Sequence, residues 1–419
     1  MLPFHRQSPI LPHLSRFSIL CGALALSAAG CKAPETASTG NNASGAGNTV
    51  AATGGAADVS PAKPYTGENL VIGLYGSLTG TTATFGISSQ NGIKMAFDEI
   101  NAKNPPLGKK LELISEDNGS KTEQVPAVVL KLINQNNVLA LLGEVASSRS
   151  LAAAPIAQRA GVPMVSPSST NPKVTEVGDY IFRTCFIDPF QGTVMAKFGR
   201  DTLKAKKAAI LTDVANDYSK GLTQFFKEEW TKSGGTIVSE VSYSEGDKDF
   251  QAQLTKIKGT NPDVIYVPGY YTEVGNIAVQ ARRLGLKQVM MGGDGWDSPK
   301  LYEIGGKAIQ GSYFSNHYSA QSKDPKVVKF VADYKKRFGA NPPDALAAVA
   351  YDAAYLLSDA IKRAGAPDRA KIRDAIAQTK NFPGVTGVIS IDDKRNAIKP
   401  AVVLKVVGNE GVYVSTVKP

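Results

Sequence analysis

Short apolar runs rich in β-branched residues alternate along the chain with longer stretches whose apolar positions recur at helical spacing. The apolar runs form two series, NLVIGLY, KLELISED, VLALLG and VPMVSP within 69–167, then KKAAILTD, TIVSEVSY, DVIYVPG and QVMMGG within 206–293. Near-continuous apolar strands followed by helices indicate a parallel sheet that is covered on both faces. Two such series predict an α/β fold with two doubly wound, parallel-sheet lobes.

The helical pattern lies between these strands and continues after the second series. It predicts helices near 91–103, 122–136, 148–160, 218–233, 250–258 and 273–284, and longer ones over 325–338 and 343–364. A short β segment, AVVLKVV, follows near the C-terminus. The order of elements therefore predicts two lobes, followed by two long helices and a short β segment.

The stretch VMMGGDGW, 289–296, places one carboxylate among glycines at the end of a predicted strand. Taken alone, Asp and Gly are typical of a turn. In open α/β sheets, however, ligands bind beyond the carboxyl ends of the strands. Asp294 is therefore a candidate ligand contact as well as a turn residue.

The N-terminal 30 residues have the pattern of a secretory signal. Arg6 and Arg16 precede FSILCGALALSAA, an apolar run that is too short to span a bilayer and is typical of a signal peptide. The motif AAGC that follows resembles the lipobox of bacterial lipoproteins, in which the cysteine, here Cys31, is acylated. Ala28 stands where those boxes usually carry Leu, and ordinary signal-peptidase cleavage is the alternative. Both alternatives predict export.

Residues 31–68 contain few large apolar side chains and many Ala, Gly, Ser, Thr and Asn residues. Such a segment cannot bury enough surface to offset its ordering entropy, so we expect a disordered tether. With a lipid on Cys31, the protein would lie in the periplasm or at the cell surface, held to a bacterial membrane only through its N-terminal lipid.

Composition argues against several classes of function. The chain has 47 Lys and Arg against 37 Asp and Glu, a formal charge of +10, but the basic residues are scattered and indicate a solvated surface, not nucleic-acid binding. His317 is the only histidine beyond the signal, so neither a histidine metal site nor a catalytic His pair is predicted. Phosphate-loop and nucleophile-elbow motifs are absent from the sequence. We expect no enzymatic activity and no cofactor, and a buried, inert Cys185.

Several motifs, in this order and spacing, resemble the leucine/isoleucine/valine-binding family of periplasmic binding proteins, which serve branched-chain amino acid ABC transporters. The resemblance runs from about Asn69 to the C-terminus. It is carried by GLYGSLTGTTATFG, NGIKMAFDEINAK, GEVASSRSLAAAPIAQRAGVPMVSPSSTNP, RTCFIDPFQG, DYSKGL and GYYTEVGNIAVQARRLGLKQVMMGGDGW.

The resemblance implies a ligand site. Ser147 would donate to the ligand carboxylate, Ser168 and Thr170 would hold the amino-acid head, and Asp294 would pair with the ammonium. Aromatic side chains would close over the ligand, namely Phe85, Tyr218 and Tyr270. The structural alternatives are core aromatics for Phe85 and Tyr218, and helix N-caps for Ser147 and Thr170.

Trp296 departs from the family pattern, and we expect it to narrow or reshape the side-chain compartment. The ligand is therefore left open between a branched-chain or similar amino acid and an amide, urea or aromatic acid. A ligand sensor is a further alternative to transport.

The resemblance also implies capture by closure of two lobes that are joined by a three-crossing hinge. Lobe 1 would comprise 69–187 and 320–392, and lobe 2 would comprise 188–319 and 393–419. A ligand that contacts both lobes only when they are closed shifts the population towards the closed form. The expected partners are an amino-acid ligand and the membrane permease subunits of an ABC transporter, and we expect a monomer.

Overall fold

The structure, a computed structural model, describes residues 59–339 and 341–419. The predicted signal peptide, Cys31 and most of the predicted tether lie outside the described residues. The described end of the predicted tether is in contact with the first lobe, since the Ala62 amide donates to the Ala160 carbonyl at 2.9 Å. The first series of elements comprises β1 (Leu70–Gly76), α1 (Ala83–Lys103), β2 (Leu111–Asp117), α2 (Val125–Leu130), β3 (Ala140–Leu142), α3 (Ser147–Ala160), β4 (Met164–Ser166), α4 (Lys173–Glu176) and β5 (Ile181–Arg183).

The second series begins directly after β5 and repeats the alternation. It comprises α5 (Asp188–Lys197), β6 (Lys207–Asp213), α6 (Asp217–Lys232), β7 (Thr236–Tyr243), α7 (Gln251–Thr260), β8 (Val264–Tyr266), α8 (Tyr271–Arg283), β9 (Val289–Gly292), α9 (Pro299–Gly305) and β10 (Tyr313–Asn316).

The C-terminal part adds three helices and two small sets of strands. These are α10 (Pro325–Phe338), α11 (Ala345–Ala364), α12 (Arg369–Ala377), β11 (Phe382–Gly384), β12 (Gly387–Ile391), β13 (Ala397–Ile398), β14 (Ala401–Val407) and β15 (Glu410–Val417). The predicted single C-terminal segment is thus a two-stranded antiparallel hairpin, β14–β15.

Two sheets give the molecule two lobes, as the strand pattern predicts. The first lobe is built on a five-stranded sheet of order β2-β1-β3-β4-β5, with every pairing parallel. The second is built on a seven-stranded sheet of order β15-β14-β10-β9-β8-β6-β7, parallel from β7 to β10 and antiparallel beyond. A small antiparallel sheet of β11, β12 and β13 completes the described strands.

Each lobe has its own apolar core. In the first lobe, side chains of α11 and α12 such as Leu357 and Ile372 pack with those of β1. The larger core of the second lobe also includes Phe85 and Ala146, which belong to the first series of elements. The two lobes are therefore in contact, and this contact surface includes predicted ligand residues.

The sequence predicts the order of the main strands and helices, with several differences. Helix α1 begins at Ala83, well before the start expected near Asn91. The elements that were not predicted are the helices α4, α5, α9 and α12 and the strands β5, β10, β11, β12, β13 and β15. Within α1, a Cβ at Gly86 would lie 2.2 Å from the carbonyl oxygen of Ser77, and one at Gly92 would lie 2.1 Å from that of Ala347. Small residues replace the apolar ones that a periodic pattern would show, because α1 packs unusually close to its neighbours.

Across residues 59–339 and 341–419, none of the helices combines the length and the apolar character needed to cross a bilayer.

Candidate functional site

The predicted ligand residues lie at the carboxyl ends of parallel strands, where the two lobes meet. Ser147 is the first residue of α3 and follows β3, while Ser168 and Thr170 follow β4. Asp294 follows β9 in a short 3₁₀ turn, Asp294–Trp296. Right-handed β–α connections bring all such ends to one edge of each sheet, so these residues converge although they are far apart in sequence.

Asp294 is the centre of the site. Its side chain is buried, with 4% of it exposed, and its Oδ1 accepts hydrogen bonds from Gln191 Nε2 and from the Tyr218 hydroxyl, both at 3.0 Å. Its Oδ2 lies 3.0 Å from His317 Nε2 and accepts from the Ser168 hydroxyl at 3.4 Å. Four side chains from both lobes thus converge on one carboxylate.

None of these four side chains carries a positive charge at neutral pH. His317 is the one basic group, and burial lowers its pKa despite the neighbouring Asp294 carboxylate, so the imidazole is neutral at neutral pH. Among the described residues, Asp294 has no other salt-bridge partner within 4.0 Å. A buried carboxylate without a cation is costly. The site is therefore suited to a ligand that supplies a positive group.

Aromatic rings form a continuous wall beside this carboxylate. Tyr218 and Tyr270 stack with ring centroids 5.3 Å apart and an angle of 10°, and Phe85 meets Tyr270 edge-on, also at 5.3 Å. All three side chains are buried. The Tyr270 hydroxyl has no hydrogen-bond partner in the described part of the chain. Such a wall can hold an apolar side chain of a ligand, and the Tyr270 hydroxyl is available to a polar group beside it.

Ser147 and Thr170 carry the hydroxyls predicted for the amino-acid head. Ser147 Oγ accepts a hydrogen bond from the Asn171 amide at 3.3 Å, and it opens α3, whose positive dipole end favours an anion. The buried Thr170 hydroxyl has no partner among the described residues. Buried polar atoms are nearly always paired, so a hydroxyl without a protein partner beside the site is available for contact with a ligand.

Comparisons with known proteins show the family of the chain. A family model described as periplasmic binding protein matches residues 69–411. The Leu/Ile/Val-binding protein BraC3 of Rhizobium johnstonii is 32% identical over 330 residues, which cover 78% of this chain and 88% of that protein. The chain belongs to the leucine/isoleucine/valine-binding family of periplasmic binding proteins. Membership implies an exported protein, and the relatives are solute-binding proteins, not enzymes.

Solved structures of this family share the fold over nearly their whole length. The leucine binding protein LivK of Thermotoga maritima has a TM-score of 0.80 and 43% identity, over 84% of this chain and 99% of that chain. The substrate binding protein LivJ of Streptococcus pneumoniae, in complex with isoleucine, has a TM-score of 0.79 and 36% identity, over 84% and 100%. A solute binding protein of Rhodopseudomonas palustris, in complex with 3,4-dihydroxybenzoic acid, has 0.76 and 28%, over 84% and 98%.

The glycines around Asp294 in this periplasmic binding protein permit close approach. A Cβ at Gly293 would lie 2.3 Å from the Tyr218 hydroxyl, and one at Gly295 would lie 2.8 Å from the Tyr270 ring. The loop can therefore press against both aromatic rings, which positions its carboxylate within reach of the Tyr218 hydroxyl.

Trp296 is placed behind this loop. Its indole is fully buried, donates to the Val267 carbonyl at 2.9 Å and packs near Phe314. Gly292 makes room for it, since a Cβ there would lie 2.1 Å from the indole. The indole thus supports the Asp294 loop from within the second lobe.

Sequence reasoning missed two residues of the site, Gln191 and His317. Gln191 lies on α5, donates to Asp294 and accepts from the Ser315 hydroxyl at 2.9 Å. His317 follows β10 and lies against Phe186, with ring centroids 4.0 Å apart. The signal that could have found His317 is its position directly after a strand of the parallel sheet, where ligand residues are expected.

Polar contacts also join the two lobes beside the site. Ser148 Oγ accepts from the Asp217 amide at 2.8 Å and donates to its carboxylate at 3.0 Å. Arg149, with 1% of its side chain exposed, forms an ion pair with Glu245 at 2.7 Å. We call the Arg149–Glu245 pair the clasp. It connects α3 of the first lobe to the loop that follows β7 of the second.

Proposed function

We propose that this protein captures a small amino acid, branched-chain or similar, between its lobes and delivers it to the membrane permease of an ABC importer. The observation that carries the proposal is the buried Asp294 carboxylate, which is surrounded by neutral donors and lacks a settled cation. A ligand ammonium supplies the missing charge through a charge-assisted hydrogen bond, which is stronger than a neutral one.

The remaining residues fit the other parts of an amino acid. The ligand carboxylate would accept from Ser147 and lie at the positive end of α3. The Thr170 hydroxyl and the Ser168 carbonyl would complete the contacts of the ammonium. Phe85, Tyr218 and Tyr270 would cover the ligand side chain, with Trp296 holding the Asp294 loop in place rather than touching the ligand.

Closure follows from the division of these contacts between the lobes. In our proposal lobe 1, 69–187 and 320–392, supplies Ser147, Ser168 and Thr170, and lobe 2, 188–319 and 393–419, supplies the acid and two tyrosines. A ligand held by both sets stabilises the closed form only, so binding shifts the population towards it. The permease would then receive the closed form of a monomer.

We also propose that the chain is a lipoprotein, with a signal peptide over residues 1–30, a lipid on Cys31 and a tether over 31–68. The support is the AAGC motif after an apolar run. Replacing Cys31 by Ser should move the protein from the membrane fraction to the soluble extracytoplasmic fraction, whereas the Cys185→Ser control should stay with the membrane. Retention of the Cys31 variant would contradict lipid attachment.

The alternative ligand is an aromatic acid, for which the stacked tyrosines are a suitable surface. The relative in complex with 3,4-dihydroxybenzoic acid makes this alternative concrete. An acid without an ammonium would bring a second negative charge towards Asp294, however, and like charges in a buried site are unfavourable. The geometry therefore favours a zwitterion.

A thermal-shift panel on the full-length chain tests the proposal. Ligand at a hundred times Kd should add about 2.7 kcal/mol to the free energy of unfolding. We expect a shift with leucine, isoleucine or valine, and loss of at least about a hundredfold in affinity in Asp294→Asn, because the ammonium loses its buried charge partner. The half-buried Asp359 of α11, which pairs with Arg363, provides the matched control Asp359→Asn, which should bind as the wild type does. A shift with aromatic acids alone, unchanged in Asp294→Asn, would contradict the amino-acid assignment.

A further inference from the structure

A second cavity lies beside the cleft, close to the segments that connect the lobes. Its volume is about 390 Å³, and its wall combines side chains of α1 in the first lobe with side chains around α9 in the second. None of the eight predicted ligand residues lines it. The side chains on which its chemistry depends are Asp297, Asp344, Glu410, Tyr302, Tyr334 and Phe338.

The cavity wall is negatively charged and lacks a basic residue. Lys, Arg and His are absent from its described lining, although the chain as a whole has a formal charge of +10. In the described part of the chain, Asp297, Asp344 and Glu410 have no Lys, Arg or His nitrogen within 4.0 Å, whereas Glu303 in the same wall pairs with Lys300 at 2.5 Å. The cavity therefore holds three carboxyl groups without a cationic partner.

The N-terminus of α11 compensates only part of this charge. Asp297 accepts from the Ala345 amide at 2.6 Å and from Asn316 Nδ2 at 2.8 Å, and Asp344 accepts from the Ala347 amide at 2.9 Å. A helix N-terminus supplies the equivalent of about half a positive charge. Burial raises the pKa of both groups, and the Asp297 carboxylate further raises that of Asp344, to about 7. The two acidic side chains thus share one helix N-terminus, whose partial positive charge is too small to balance both.

An unpartnered hydroxyl lies in the same wall. Tyr302 is 8% exposed and lines the cavity, yet its hydroxyl has no hydrogen-bond partner among the described residues. Burial raises its pKa, and so do the charges of Asp297, Asp344 and Glu410, which places the hydroxyl in the field of all three acids. Tyr334 and Phe338 add aromatic rings 4.7 Å apart. A group that interacts with carboxylates, a hydroxyl and aromatic rings together is an organic cation.

We propose that this cavity binds a small organic ammonium ion, separately from the ligand of the Asp294 site. Its volume is at the lower end of the range for small-molecule sites. The described residues contain no group of three or more His, Cys, Asp or Glu side chains arranged for a metal ion, which favours an organic cation. Because both lobes contribute to the wall, a bound ammonium bridges them and stabilises the closed form.

Calorimetric titration of the full-length Asp294→Asn variant with putrescine tests this site apart from the amino-acid cleft. We expect one putrescine per chain to bind, and 1,4-butanediol, which replaces both ammonium groups by hydroxyls, to give no binding. The wild type should bind putrescine in the presence of leucine as well. Binding that is lost in Asp294→Asn would place the amine in the amino-acid cleft, and equal binding of the diol would exclude charge recognition. Either result would overturn the proposal.

Variants of the wall locate the binding. In the same background, Asp297→Asn should weaken putrescine by about tenfold, the value of one hydrogen bond to a charged group. Glu410→Gln, on the exposed hairpin, should weaken it by about threefold, and the control Glu303→Gln by less than about twofold, since Glu303 is already paired. The melting temperature of each variant without ligand shows whether it folds. Unchanged affinity in both Asp297→Asn and Glu410→Gln would refute the site.

Discussion

Tyr218 holds the centre of the site through three contacts made by one side chain. Its hydroxyl donates to Asp294 Oδ1 at 3.0 Å and accepts from the Gly295 amide at 3.2 Å, while its ring stacks on Tyr270. The hydroxyl therefore fixes both the carboxylate and the backbone that carries it. Its removal leaves the ring in place but loosens the acid.

We expect Tyr218→Phe to weaken amino-acid binding by about tenfold, because a hydrogen bond to a charged group contributes about 1.5 kcal/mol. The matched control is Tyr266→Phe in the same lobe, since the Tyr266 hydroxyl is buried without a partner among the described residues. Titration calorimetry measures both. Equal losses in the two variants would mean that the Tyr218 hydroxyl has no special role in positioning Asp294.

At the scale of single residues, the sequence predicts which residues belong to the site better than it predicts which of them contact each other. Five of the predicted residues form one continuous set of contacts, which runs from Ser168 through Asp294, Tyr218 and Tyr270 to Phe85. Gln191 and His317 were missed because α5, which carries Gln191, and β10, which directly precedes His317, were not predicted. The periodicity of apolar residues shows which face of a helix or strand is buried, but not which element packs against that face.

Among the elements, α3 joins the lobes through side chains of its first turn. Its first three residues are Ser147, the predicted carboxylate donor, Ser148, which bonds Asp217, and Arg149, which forms the clasp with Glu245. Arg149 also donates to Thr82 Oγ1 at 2.9 Å and to the Ser120 carbonyl at 2.6 Å, so its guanidinium is held in one position. One helix N-terminus thus combines the expected ligand contact with direct bonds across the cleft.

We expect Glu245→Gln to weaken amino-acid binding although Glu245 is not a predicted ligand residue. Without the full clasp the closed form is less populated, and apparent affinity falls with that population, here by about threefold to tenfold. The faster dissociation should be visible in stopped-flow measurements.

The control for the clasp is Glu240→Gln, which breaks an exposed pair with Lys227 within the second lobe alone. That variant should bind like the wild type. A Glu245→Gln variant with wild-type affinity and dissociation rate would show that the clasp does not contribute to closure.

Helix α1 shows why element boundaries were harder to predict than element order. A glycine in a helix interior costs about 1 kcal/mol relative to alanine, so Gly86 and Gly92 argue locally against a helix. Tertiary packing overrides this preference, because α1 needs both glycines to approach the Ser77 and Ala347 carbonyls. Such close approach depends on which two elements pack together, and the local sequence of one element does not show this. The strand series, by contrast, was predictable because central strands such as β1 and β6 are buried on both faces and therefore read as continuous apolar runs.

For the whole molecule, buried carboxyl groups set the pH dependence of stability. Burial raises the pKa of Asp188, Glu273 and Asp344 to about 7, and that of Asp213 to about 6. A raised carboxyl pKa means that the folded state binds more protons than the unfolded state between about pH 4 and pH 7, so stability is lost as pH rises through this window. The lowered pKa of His317 has the opposite effect, because it makes stability rise with pH up to about pH 6.5. This is one group against the four carboxyl groups, whose effect we expect to dominate.

We therefore expect a higher melting temperature near pH 5 than near pH 8, measured by calorimetry without ligand. Glu273→Gln should reduce this slope, because it removes one buried titrating group and keeps an oxygen for the Gly246 amide. Exposed Glu228→Gln should leave the slope unchanged. A melting temperature that rises steadily from pH 5 to pH 8 would contradict the predicted dominance of the buried acids.

Phe85 belongs to the first lobe by its helix and to the core of the second lobe by its packing. Opening of the cleft therefore transfers an aromatic ring, and the faces of Tyr270 and Tyr271 against it, from a dry core into water. Exposure of apolar surface carries a positive heat-capacity change, and the attraction that opposes it weakens on cooling. The balance between open and closed forms thus depends on temperature. The lobes are held together less firmly in the cold, and the enthalpy of ligand binding becomes more negative as the temperature rises.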